Sequence, residues 1–207
     1  MNIDDKVKDR IAKIKALADR GVDGEKTAAS IQLDKMLKKY NLSDEDLDKI
    51  KLKKYFFKYK TNLDKRLFGQ LINFFFKDQD LTVYQNNNNG KDLQVEMEYL
   101  DYVTLSCSYE YFRGHAAKQF NDFCLPHVKR CRTTKTKNAK RAELQDAFFS
   151  KYVIASNIYH PEHIKQVDWS GMSNKELEAS HKRASILGDV QGGQYHTQVA
   201  KETLKIE

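Results

Sequence analysis

Proline occurs only twice in this chain and glycine nine times, too few for a long flexible or proline-rich linker. Cysteine is scarce too. Cys107, Cys124 and Cys131 are odd in number and make no disulfide framework, so reduced thiols in an intracellular protein are expected. Apolar clusters such as Phe74-Phe75-Phe76 are short; none nears the roughly 18 unbroken apolar residues of a membrane span. The opening MNIDDKVKDR is charged and has no apolar centre, so no secretory leader is read there. Also missing are GxGxxG, the GxxxxGK phosphate loop, HExxH and paired CxxC motifs. These absences predict a cytoplasmic protein with no membrane partner, no nucleotide cofactor and no recognisable catalytic constellation.

What is present suffices for a core. Apolar residues make up 40% and aromatics 11% of 207 residues, too rich for disorder and long enough for one domain or two small ones. Charge is unevenly spread. Residues 1–50 carry 11 basic and 11 acidic side chains, residues 51–141 carry 18 and 9, and residues 142–207 carry 7 and 9. A basic middle between a neutral head and a slightly acidic tail points to an anionic partner, nucleic acid or nucleoprotein being the commonest.

Periodicity divides the chain into a helical module over 1–50 and a basic α+β domain over 51–207. Ile3, Val7, Ile11, Ile14 and Leu17 mark one helix face, with Gly21 expected as a left-handed stop. A second helix carries Ala29, Leu33, Met36, Leu37 and Tyr40 and ends at Asn41. Ser43 and Asp46 predict a capping box for a short third helix. KYFFKYK (54–60), LTVYQ (81–85), DLQVEMEYL (92–100) and YVTLSCSY (102–109) alternate or are aromatic enough to read as strands, with NNNNG (86–90) as a turn. Helices capped at Asn62, over 111–125 and over 139–159, and a helical last quarter complete an α+β fold. Its three- or four-stranded antiparallel sheet rests one face on helices.

The segments KIKALADR and DGEKTAASIQLDKMLKKYNLSDEDL resemble the N-terminal module of a bacterial and often phage-borne family, domain of unknown function 2786. The resemblance covers residues 10–48 through Lys13, Ile14, Leu17, Ala18, Glu25, Ala28, Ala29, Met36, Tyr40, Leu42 and Ser43. FFSKYVIASNI and Gly188, Gly192 and Gly193 are more loosely similar to the family's following segment. The resemblance implies a phage or mobile-element origin, and with it a host-cytoplasmic protein that inhibits a defence nucleoprotein such as a CRISPR effector. It transfers no activity.

Three candidate chemistries remain. The run Lys129, Arg130, Arg132, Lys135, Lys137, Lys140 and Arg141, interleaved with threonines and Asn138 and free of acids, suits phosphate contact. Lys58, Lys60, Lys65 and Arg66 would extend it, and exposed rings of KYFFKYK or YEYF would stack on unpaired bases. Cys124, His127 and Cys131, with His160 and His163, offer zinc-like ligands for a hydrolase or nuclease. The stripe Phe120, Cys124, Val128 and Cys131 reads equally as core packing, which is favoured for the cysteines. Gly192-Gly193-Gln194 matches the tripeptide with which release factors hydrolyse peptidyl-tRNA, but its surroundings differ, and glycines ending a helix are the expected explanation. His115, His181 and His196 stand alone and are expected to be structural or solvated. The leading expectation is a non-enzymatic binding protein, with the helical head as a docking or homo-oligomerising module; the rivals are the metal-dependent enzyme and a protein–protein adaptor.

Overall fold

The structure, a computed structural model, describes residues 4–86, 90–163 and 171–195. Most of the expected NNNNG turn, and His196, lie outside the described residues. Two compact units form: one from residues 4–60 and 79–107, the other from 61–78 and 108–195, in each case over their described parts. Both are helix-rich, and the first holds a small antiparallel sheet, so the fold is α+β. Among the described residues no helix is long and apolar enough to cross a membrane.

The first unit opens with α1 (Asp5–Arg20), α2 (Gly24–Tyr40) and α3 (Asp44–Lys51). Ile11, Ile14, Ala18, Ala29, Leu33 and Leu47 form their common core, the apolar faces that the 3.6-residue period requires. Gly21 is extended (φ −67°, ψ 161°) rather than left-handed. What demands glycine there is closeness, since a Cβ would lie 2.3 Å from the Leu17 carbonyl oxygen. Asn41 does end α2 in the left-handed region (φ 49°), as its short amide tolerates. Ser43 and Asp46 close the expected capping box.

The sheet has the order β1-β3-β2, all antiparallel: β1 Lys53–Lys58, β2 Val83–Asn86 and β3 Asp92–Met97. Its inward face buries Phe57, Leu93, Val95 and Met97, and Tyr55 stacks on Tyr102 with ring centroids 3.9 Å apart. Phe56 and Tyr84 stand opposite Gln94 on the outer face, both more than half exposed. Arg20 Nη1 donates to the buried Asp101 carboxylate at 2.8 Å, compensating a charge that would otherwise be costly to bury.

The expected fourth strand is a helix. α5 (Tyr99–Gln119) takes in residues 102–109, a π-turn (Phe120–Cys124) follows, and α6 (Leu125–Lys129) continues without a break. Asp101, Leu105, Ser108, Tyr109, Phe112, Ala116 and Phe120 are buried at helical spacing while Cys107 is exposed, so the apparent two-residue alternation was a sampling of the helical one. Pro126 explains the wide turn: lacking an N–H and crowding the carbonyl four residues back, it cannot join a regular α-turn, and Leu125 N–H bonds to Phe120 O instead.

The second unit adds α4 (Asn62–Phe75), α7 (Thr134–Ala155) and α8 (Asn174–Ile186). α4 is capped by Thr61, one residue before the expected Asn62, in a capping box with Asp64. α7 starts five residues earlier than expected because Thr133 and Thr136 close a capping box on each other. In its core Phe120 meets Phe148 edge to face and Phe148 stacks on Tyr152, at 5.3 and 5.5 Å between centroids.

Gly192 and Gly193 do not end a helix. α8 stops at Ile186, and the segment 190–195 is strapped to α5 and α7 by three backbone N–H groups. Gln191 donates to Gln119 Oε1 (2.9 Å), Gly193 to Ser156 Oγ (3.0 Å) and Gln194 to Tyr111 Oη (3.0 Å). Nearby, the buried Tyr152 hydroxyl donates to the Phe112 carbonyl (3.3 Å), and its oxygen lies 3.0 Å from His115 Nδ1. Burial, and secondarily Lys118, hold His115 below its ordinary value of 6.5. The unfolded chain thus takes up a proton that the folded chain refuses, so this contribution to stability is present above about pH 6.5 and lost as pH falls through the folded pKa. Denaturant midpoints at about pH 7 and pH 5 should show that loss, and His115→Gln should shrink it.

Candidate nucleic-acid interface

The turn Arg130–Thr133 joins α6 to α7, and every residue from Arg132 to Ala139 is exposed. Lys129 ends α6, Arg130 and Arg132 lie in the turn, and Lys135, Lys137, Lys140 and Arg141 lie on the first two turns of α7. The fold therefore gathers all seven candidate cations around one helix connection, because they are contiguous in sequence and Thr133 starts α7 in their midst. Lys140 pairs with Glu143 at 3.1 Å, and Arg183 reaches the same carboxylate at 3.5 Å. Among the described residues the other six form no ion pair. The first turn of α7 contains no acid, although the helix dipole there favours negative charge and disfavours Lys135 and Lys137.

The proposed extensions separate. Arg66 is already engaged, 2.5 Å from Asp146 and stacked 4.3 Å over Phe149. Lys65 belongs to the same unit, whereas Lys58 and Lys60 belong to the other. Of the rings expected to stack on bases, Phe56 and Tyr111 are exposed, while Phe57, Tyr109 and Phe112 are buried.

The zinc-like set does not assemble. Cys124 is wholly buried, and its thiol is pushed up to about 12 by desolvation, the opposite of what a thiolate ligand needs. Cys131 Sγ lies 3.8 Å from the His127 carbonyl. His160 Nε2 is 3.0 Å from the Asn73 carbonyl, and the His160 and His163 rings sit edge to face 5.8 Å apart. Among the described residues no three His, Cys, Asp or Glu side chains come together as a metal site.

No known protein family, curated protein or solved structure matches this chain. The candidate interface therefore stands on its own geometry. The feature that reading by residue type missed is the helical register across Thr134–Gln145. Thr134, Asn138, Arg141 and Gln145 fall on one stripe, and Thr133 with Thr136 was the signal that would have revealed it.

Proposed function

We propose that the protein binds nucleic acid, free or within a nucleoprotein, through the α6–α7 connection. The observation that carries this reading is the set of six exposed cations without ion-pair partners among the described residues, Lys129, Arg130, Arg132, Lys135, Lys137 and Arg141. Two of them sit where the helix dipole opposes them. A group of like charges with no ion-pair partner among the described residues, two of them set against a helix dipole, is an arrangement that a polyanion stabilises by counterion release. The N-terminal resemblance adds the context of a phage or mobile element, in which the target would be a host defence nucleoprotein of the CRISPR effector type.

The test is titration of the protein against labelled DNA and RNA across a salt series. Six phosphate contacts give a log–log slope of about −5 on duplex and about −4 on single strands, so duplex affinity falls roughly 10³-fold between 50 and 200 mM salt. Binding indifferent to salt, or absent at low salt, would replace this reading with that of a protein–protein adaptor.

A further inference from the structure

We infer that one face of α7 enters the major groove of B-form DNA and reads bases there; this deepens the nucleic-acid reading and rests on it. Thr134, Asn138, Arg141 and Gln145 recur at spacings of four, three and four, which places them on a single stripe of the helix. Thr134, Asn138 and Arg141 are exposed and Gln145 is half-buried. Among the described residues none of the four side chains has a hydrogen-bond or ion-pair partner. On either side of the stripe, about a quarter turn away, stand Lys135 and Lys137.

That layout has amides and a guanidinium in the centre and cations on both flanks, and it matches a groove floor of base edges between two phosphate rails. Asn and Gln bond bidentately to adenine N6 and N7, Arg to guanine O6 and N7, and a threonine methyl packs on the thymine methyl. A helix about 10–12 Å across fits a major groove about 12 Å wide. The stripe runs about 16 Å, the length of four to five base pairs. The helical run that ends in α6, the four-residue connection and α7 share the helix–turn–helix order, in which the second helix makes the base contacts. Charge complementarity selects the polyanion, and groove width selects DNA, because the major groove of A-form RNA is too narrow and deep for side chains to read.

Selection from a pool of DNA duplexes with a randomised core should yield a short motif containing adenine and guanine. Asn138→Ala and Gln145→Ala should each weaken binding to that motif about tenfold, the scale of one lost bidentate contact. Because neither change removes charge, affinity for random duplex and the salt slope should stay as in the parent. Both side chains lie outside the core, and matched thermal unfolding would verify an intact fold. Three results would overturn the inference while leaving charge-driven binding in place: no enriched motif, preference for single strands or RNA, or equal loss on motif and random duplex. Lack of any salt-dependent binding would remove both.

Discussion

Glutamine at Lys129, Arg130, Arg132, Lys135, Lys137 and Arg141 together is expected to reduce nucleic-acid binding about a thousandfold at low salt and to flatten its salt dependence. The slope is the more discriminating readout. Each phosphate contact contributes about 0.9 to it on duplex DNA, so glutamine at Lys129, Arg130 and Arg132, or at Lys135, Lys137 and Arg141, should each remove about half. Fold damage would not produce that proportionality. Stability supplies a second signature. None of the six is in the core or in an ion pair among the described residues, and removing cations from a helix N-terminus relieves an unfavourable interaction with the dipole. Lys129 and Arg130 stand at the C-terminal end of α6, where the dipole favours cations, so the two changes offset and the variant should melt close to the parent. Unchanged affinity and slope would show that the charges serve only solvation.

Among the described glycines, Gly192→Ala should have the largest effect on stability. Its Cβ would sit 2.0 Å from Ala155 O, 2.1 Å from Ala155 C and 2.3 Å from Ser156 N. These are backbone atoms at the end of α7, and they cannot rotate aside. Relief requires moving the segment 190–195, which forfeits hydrogen bonds to Gln119, Ser156 and Tyr111. A loss of about 3 kcal/mol follows, which for a unit of this size is roughly a 15 °C fall in Tm by calorimetry. Gly114→Ala is the control. That glycine lies inside α5 with nothing within 4 Å of a Cβ, so alanine should be neutral or stabilising by about 0.5–1 kcal/mol. Equal behaviour of the two variants would show that the close approach at Gly192 is not a constraint.

The sequence was most readable where a local signal and a burial pattern agreed. α1 to α3 were visible because their apolar faces recur over several turns and because Ser43 and Asp46 spell out a cap. Residues 102–109 were misread because Leu105 and Tyr109 satisfy both a period of two and a spacing of four. Only the burial of Phe112, Ala116 and Phe120 farther along decides for the helix, and eight residues are too few to show it. At the interface the cations were plain because they are consecutive. The stripe through Asn138 was not, since it exists only once the helix is known to begin at Thr134, and a threonine closing the capping box replaces the expected Glu or Gln. The glycines at 192 and 193 were noticed, but their reason lies in distant backbone atoms that spacing does not reveal.

The order of segments along the chain also sets a schedule for synthesis. β1, complete by Lys58, pairs with no strand but β3 in the described sheet, which ends at Met97, and α4, made in between, belongs to the other unit. A chain emerging from the ribosome can dock α1 to α3 at once, but must hold β1 and α4 unpaired until later residues arrive. A single cut between the two units does not exist. Truncation after residue 60 leaves an aromatic, lysine-bearing strand without its neighbour, and the lysines at 53, 54 and 58 then guard that strand against pairing with another nascent chain.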